Sequence, residues 1–109
     1  MIKGVGIDII EIERIEKLMS DKPNFLVRNF SEDEQALNCK SETVAGNFAA
    51  KEAFAKALGT GFHGFGLRDV EVLRNTHGAP YIKFKGEQTN ANVSISHNRT
   101  TAVAVVILT

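Results

Sequence analysis

A chain of 109 residues holds one domain, residues 1–109, and is too short for two. Its 43% hydrophobic and 24% charged residues exclude a disordered chain, a collagen-like repeat and a coiled coil. Thirteen Lys+Arg against thirteen Asp+Glu leave a net charge of +0, without the basic excess of a nonspecific nucleic-acid binder.

Residues 3–10 are rich in β-branched side chains and glycine, which predicts a buried strand. Ile12, Ile15 and Leu18 then recur at helical spacing among Glu11, Glu13, Arg14, Glu16 and Lys17, an amphipathic helix with one charged face. Asp21, Lys22, Pro23 and Asn24 break it, and Phe25, Leu26 and Phe30 suggest a short helical turn. Ser31-Glu32-Asp33-Glu34 is a capping box opening another short helix. The longest helix is predicted from Ser41 to Leu58, with Gly59 as its stop. Its alanines at Ala49, Ala50, Ala53, Ala55 and Ala57 let another element approach the backbone closely.

Residues 59–66 form a loop with glycines at Gly59, Gly61, Gly64 and Gly66. Beyond it the period falls to two: Val70 and Val72, Ile82 and Phe84, then Val93 and Ile95 alternate with other residues. Residues 102–108 are almost continuously apolar, so four strands are expected here. Turn chemistry lies at residues 75–80 and 97–100, the second suited to an antiparallel hairpin. A strand, several helices and then strands argue for an α+β fold.

No apolar run approaches the roughly 18 residues of a membrane span, and the N-terminus lacks the layout of a signal peptide. The lone Cys39 allows no intramolecular disulfide and fits a reducing compartment, so a soluble, cytoplasmic protein is expected. Cys39 sits in a polar stretch and makes a poor candidate nucleophile. A domain this small buries only about two-thirds of its unfolded surface, so a large cleft has reason to be shared with another subunit.

Two readings stand beside each chemically loaded residue. Asp8, between Ile7 and Ile9, either caps a helix starting near Ile9, with Glu11 completing the box, or serves a metal or catalysis. Glu52 and Lys56, four apart beside Lys51, make either a surface ion pair or part of an anion site next to the glycine loop. His97 ends a strand in line with Val93 and Ile95, as a structural histidine or a ligand-binding one. Ser96, its neighbour, points to the opposite face, which removes a serine–histidine pair. One cysteine and scattered histidines do not give structural zinc spacing, whereas two separated carboxylates, Asp8 and Glu52, suit Mg²⁺. Carboxylates, a lysine, a glycine loop and a histidine together suggest chemistry at a diphosphate.

Three segments in order resemble the small bacterial holo-[acyl-carrier-protein] synthases, a branch of the 4′-phosphopantetheinyl transferases. They are Gly6-Ile7-Asp8-Ile9-Ile10-Glu11-Ile12 with Arg14-Ile15, the run from Phe48 through Lys51, Glu52 and Lys56 to Gly61, and Ser94-Ile95-Ser96-His97. The resemblance implies an antiparallel sheet packed on the long helix and a homotrimer with active sites between subunits. It implies transfer of the phosphopantetheine arm of coenzyme A to a serine of apo-acyl carrier protein, releasing adenosine 3′,5′-bisphosphate, in support of fatty acid biosynthesis. By the same resemblance Asp8 and Glu52 would hold Mg²⁺, Lys56 would meet CoA phosphate oxygens, and Gly59, Thr60 and Gly61 would lie along the nucleotide. His97 would stand beside the phosphates, and the serine proton would go to Glu52 or to a metal-bound water.

The first helix, with Arg14, is implied as the carrier-docking surface. Lys17, Lys22 and Arg28 are candidate partners in its charge patch, with Met19 and Phe25 as apolar contacts. The sequence departs from the family pattern at Asn47, where many relatives have arginine, and at Lys40, Ser41 and Glu42, a shorter and less basic linker. It departs again at residues 86–92, too short for the usual helix. A metal-dependent diphosphate hydrolase and a non-catalytic subunit binding CoA or carrier protein are the competing functions.

Overall fold

The computed structural model describes every residue except Asn38 and Cys39, so the nucleophile question at Cys39 lies outside the described residues. Strand β1 (Gly4–Glu11) leads into α1 (Ile12–Asp21), the short α2 (Phe25–Asn29) and α3 (Glu32–Leu37), and the long α4 (Ser41–Leu58). A 3₁₀ turn at Leu67–Asp69 precedes β2 (Val70–Arg74), β3 (Pro80–Phe84), β4 (Glu87–Gln88), β5 (Ala91–His97) and β6 (Thr101–Leu108). The content is α+β.

The helix signals act as the sequence implies. Ser31 N–H donates to Glu34 Oε1 at 3.0 Å and Glu34 N–H to Ser31 Oγ at 3.3 Å, the reciprocal capping box of α3. Helix α4 ends at Gly59, whose φ of 81° is the left-handed stop that glycine adopts without a Cβ penalty. The capping role for Asp8 is overturned. Helix α1 starts at Ile12, and its N-cap is Glu11 with no side-chain cap bond. The hairpin does that work instead, because Thr100 O accepts the Ile12 N–H at 2.9 Å. Asp8 is left inside the strand.

The described strands form two antiparallel sheets where one was expected: β1-β6-β5 and β2-β3-β4. The two-residue β4 is too short for any periodicity to announce it. It occupies part of residues 86–92, where no helix forms.

Register decides what faces what. Asp8 stands opposite Ala104 and Ala104 opposite Ile95, while Ile10 and His97 both stand opposite Ala102. Opposed residues share a face, so Gly6, Asp8 and Ile10 look the same way as Val93, Ile95 and His97. That face lies on α4. A Cβ on Gly6 would meet Ala53 O at 1.8 Å, and one on Gly4 would meet Ala57 O at 2.0 Å. At the other end of the helix a Cβ on Gly46 would come within 2.8 Å of Ile95 Cγ2. Helix α4 therefore crosses the sheet, its C-terminal half on β1 and its N-terminal half on β5.

The opposite face of β1 corrects the expectation of a buried strand. Val5, Ile7 and Ile9 are 57%, 59% and 69% exposed. They pair across the ladder with Ile107, Val105 and Val103, themselves half-buried, to make one continuous apolar outer surface. Along β5 that surface turns polar at Asn92, Ser94 and Ser96.

Candidate active site

Two glycines set the site. Because Gly4 and Gly6 carry no side chains, β1 touches the α4 backbone, and Asp8 is the next inward-facing residue along the strand. Lys56 Nζ donates to Asp8 Oδ1 at 3.1 Å and to Ile7 O at 2.9 Å. The lysine side chain is 55% exposed and that of Asp8 18%, so the pair sits at the surface with its carboxylate partly sheltered.

Glu52 is half-buried one helical turn before Lys56. Burial pushes its carboxyl above the usual carboxylate range and the neighbouring Asp8 charge pushes it further, while Lys56 and Arg14 partly offset this. The surface ion pair expected between Glu52 and Lys56 is not what forms; Lys56 pairs with Asp8. The result is a pair of mutually repelling carboxylates beside one exposed ammonium group. Among the described residues no group of three or more His, Cys, Asp or Glu could hold a metal. Two hard oxygen donors nonetheless match an ion that takes one or two protein carboxylates and fills its other positions with water and phosphate oxygens. The donor set fits Mg²⁺, and a cation there would relieve the Asp8–Glu52 repulsion.

Lys51 has a different fate from its neighbours. Both it and Glu34 are 0% exposed, with Nζ 2.6 Å from Glu34 Oε1. Its other donors reach Leu67 O at 2.9 Å and Val70 O at 2.5 Å, so the three ammonium hydrogens all have acceptors. Glu34 Oε2 accepts the Val72 N–H at 2.9 Å. This buried pair bolts α3, α4 and β2 together and leaves no atom for a ligand.

The glycine loop corrects another expectation. Its amides were expected to be free for an anion, yet Gly59 N–H donates to Lys56 O at 3.0 Å and Gly61 N–H to Ala55 O at 3.3 Å. Two of the amides in the Gly59-Thr60-Gly61 segment close the end of α4 instead. Open space remains around both glycines, which have nothing within 4 Å of an added Cβ, so a ligand can lie along them.

His97 does not join Asp8, Glu52 and Lys56. It is exposed at the end of β5, and its Nδ1 lies 3.3 Å from Asn98 O. Strands β1 and β5 flank β6, which separates them by about 10 Å. His97 instead lines a cleft with Thr43, Gly46, Arg74, Pro80 and Ile95. The chain thus carries two separate polar groups, Asp8 with Glu52 and Lys56 at the β1 edge of the sheet and His97 with Arg74 at the β5 edge. Arg74 is the cleft residue that sequence reasoning missed, since nothing local to the end of β2 signals that it meets α4.

Of the docking candidates, Arg14, Lys17, Lys22 and Arg28 are exposed and Met19 is half-buried. Phe25 is buried, packed on Phe30 and Phe48 at centroid distances of 6.2 and 6.0 Å, and so is corrected from surface contact to core. Val27, 54% exposed on α2, is the apolar side chain that surfaces there.

The family model of the 4′-phosphopantetheinyl transferase superfamily matches residues 4–107. A holo-[acyl-carrier-protein] synthase of Clostridium botulinum (strain Alaska E43 / Type E3) is 48% identical, with 99% of this chain and 98% of the relative covered. One from Oceanobacillus iheyensis is 49% identical over 99% and 97%. Among solved structures, a Bacillus anthracis holo-(acyl-carrier-protein) synthase in complex with CoA (3′,5′-ADP) superposes with a TM-score of 0.86 at 41% identity, covering 99% of this chain and 96% of that one. The Helicobacter pylori holo-[acyl-carrier-protein] synthase in complex with coenzyme A gives 0.86 at 35% identity over 96% and 99%. The chain belongs to the 4′-phosphopantetheinyl transferase superfamily, in its holo-[acyl-carrier-protein] synthase branch, a family of enzymes.

Proposed function

We propose that the chain, acting as a single domain over residues 1–109, transfers the 4′-phosphopantetheine arm of coenzyme A to a serine of apo-acyl carrier protein. The serine Oγ–P bond forms, the P–O bond within the diphosphate breaks, and adenosine 3′,5′-bisphosphate leaves. The observation that carries this reading is the Asp8–Glu52–Lys56 cluster, two carboxylates in repulsion beside an exposed lysine. In a chain of this family, that arrangement suits a diphosphate brought in with Mg²⁺.

Asp8 and Glu52 would hold the ion, which supplies Lewis-acid neutralisation of the diphosphate when bound. Lys56 reaches the same place and offsets charge growing on the leaving bisphosphate. The proton of the attacking serine goes to Glu52 or to water at the site; a carboxylate engaged with a cation is a weakened base, which favours water. Gly59, Thr60 and Gly61 offer open backbone along which the nucleotide lies. Positioning and charge neutralisation suffice for this class of reaction, without a covalent enzyme intermediate.

Assembly completes the site. His97, with Arg74 beside it, stands at the opposite edge of the sheet from Asp8, and the apolar outer surface of β1 and β6 is unpartnered in one chain. Burying that surface in a homotrimer lets one subunit's Asp8 half-site face another's His97 half-site. Continuous apolar patches of this kind mark interaction surfaces. Sedimentation should report the trimer, and Ile7→Lys should dissociate it. The basic residues Arg14, Lys17, Lys22 and Arg28 near Met19 would receive the acidic carrier protein. The reading places the enzyme in the cytoplasm, serving fatty acid biosynthesis.

Mass spectrometry of apo-acyl carrier protein incubated with the enzyme, CoA and Mg²⁺ tests the function. The carrier should gain one phosphopantetheine group only when all components are present. CoA consumed without carrier would replace this reading with a diphosphate hydrolase.

A further inference from the structure

Lys56 lies in the last turn of α4 beside the edge strand β1, where its ammonium group spans two acceptors, Ile7 O at 2.9 Å and Asp8 Oδ1 at 3.1 Å. An ammonium group carries three hydrogens, so one remains for solvent or a ligand. The lysine side chain is 55% exposed on a flexible four-carbon stem, and moving Nζ to a nearby acceptor costs little. Asp8 is sheltered and fixed in the ladder opposite Ala104, so it does not follow. The carboxylate expected to bind a metal thus already has a cation on it.

The charges around it balance. Asp8 and Glu52 are two carboxylates, and Lys56 and Arg14 are two cations whose fields both reach Glu52. With both carboxyls ionised the cluster is neutral. A divalent cation entering alone leaves it with a positive excess and meets Lys56 on the same carboxylate. A diphosphate restores the balance and gives the ammonium group a new acceptor. Mg²⁺ also sheds its waters reluctantly and demands near-octahedral oxygen donors, so a carboxylate engaged by an ammonium hydrogen is a poor ligand for it.

We propose that Lys56 and a divalent cation compete for Asp8, and that passage of the ammonium group from Asp8 to the diphosphate couples metal binding to CoA binding. The protein alone holds the metal weakly, and CoA tightens it by drawing Lys56 away. Lys56 is then a gate on the metal site as well as a phosphate ligand. The inference rests on the CoA reading above and adds to it a coupling which that reading does not require.

Calorimetric titration of Mg²⁺ into the wild-type protein and Lys56→Met, without CoA or carrier protein, tests the competition. Lys56→Met should bind Mg²⁺ about tenfold more tightly, the scale of removing one nearby positive charge from a partly solvated site. The same variant should bind CoA more weakly, and a merely structural lysine would not shift the two affinities in opposite directions. With CoA saturating, the gain in Mg²⁺ affinity should be about tenfold larger in the wild type than in Lys56→Met, the remainder being direct phosphate contact with the ion. By reciprocity Mg²⁺ should tighten CoA by the same factor in each protein. Arg14→Gln removes a charge that has no ion pair with Asp8, so it should tighten Mg²⁺ less than Lys56→Met does. Lys56→Gln serves if the methionine variant does not fold. Mg²⁺ binding by Lys56→Met no tighter than wild type, or an equal gain in Arg14→Gln, would overturn the competition. Transfer from CoA to carrier protein, measured in parallel on the wild type, keeps the two claims apart. Transfer with an unchanged Mg²⁺ affinity in Lys56→Met overturns the gate alone; absence of transfer overturns the reading beneath it, whatever the metal titrations give.

Discussion

Lys51 and Lys56 lie on the same helix, and each is ion-paired to a carboxylate, at 2.6 Å and 3.1 Å. Five residues apart at 3.6 per turn, they point about 140° away from each other. Lys51 enters the core between α3 and β2, where Glu34 and two backbone carbonyls take all its hydrogens. Lys56 reaches over the edge of β1, where water and ligands can compete for it. The pair types are alike, and accessibility alone separates a structural tie from a site that can respond to substrate.

Breaking the buried tie should produce the largest effect. Lys51→Met leaves the Glu34 carboxylate buried without its partner, a loss of about 3–5 kcal/mol. Burial already pushes the Glu34 carboxyl upward, and removing the ammonium raises it further. A carboxyl with a raised folded-state pKa stabilises the fold while protonated, and that stability is lost as pH rises through the folded-state value. Urea unfolding should therefore show a smaller deficit for Lys51→Met at pH 4 than at pH 7. An equal deficit at both would mean that the charge of Glu34 is not what destabilises the variant.

The exposed site should behave in the opposite way, with activity lost and the fold kept. Asp8→Asn and Glu52→Gln are expected to lower Mg²⁺-supported transfer by about a thousandfold, as when electrostatic stabilisation of a transferring phosphoryl group is removed. Glu52→Gln should also gain stability, by no more than about 1 kcal/mol at pH 7 because solvent screens a half-exposed carboxylate. The sign follows from the raised carboxyl: its charge is unfavourable in the folded state, and the penalty appears as pH rises above the unfolded value and disappears below it. Mg²⁺ should raise the melting temperature of the wild type and of neither variant. Full activity in Asp8→Asn would remove the metal role.

The contrast between the two lysines also marks what could be read from the chain. The bounds of α4, its glycine stop and the capping box at Ser31 are local patterns of propensity and hydrogen bonding, and they fall where the residues place them. The cluster of Asp8, Glu52 and Lys56 was legible through family motifs. The burial of Lys51 was not, because its partner Glu34 and its carbonyl acceptors come from three separate segments. Asp8 looked like a cap because Glu11 follows at capping-box spacing, but the ladder with β6 holds the strand as far as Glu11. Tertiary pairing overrode the local signal. The exposure of Ile7 and the meeting of Arg74 with Asn47 are likewise products of topology, and no window along the sequence contains them.

Lys56→Ala probes the accessible lysine directly. If its role is to meet phosphate oxygens, KM for CoA should rise about tenfold, the scale of one charge-assisted hydrogen bond, with KM for carrier protein nearly unchanged. The ion pair to Asp8 is more than half exposed on the lysine side, so the melting temperature should move little. A large drop in melting temperature with normal CoA kinetics would make Lys56 a structural tie like Lys51.

Arg14 should give the smallest effect and the most specific one. It is exposed on α1, yet close enough to Glu52 for its charge to bear on that carboxyl, so it joins the outer surface of α1 to the carboxylate site. With no net charge on the chain, attraction of an acidic carrier must come from a local patch. Arg14 and Lys17 are three apart and share one stripe of α1, whereas Glu16 is turned toward α4, its Oε2 accepting from Ser41 Oγ at 3.1 Å. The basic stripe is thus partly separated from the acidic one on the same helix. Arg14→Glu should raise KM for carrier protein severalfold while leaving that for CoA within about twofold, since a rim charge acts mainly on association. Added salt should narrow the gap from wild type, because screening at about 8–10 Å removes the attraction that the variant already lacks. A gap that salt does not change would show that Arg14 acts through direct packing rather than through its field, and unchanged carrier kinetics would place the docking surface away from α1.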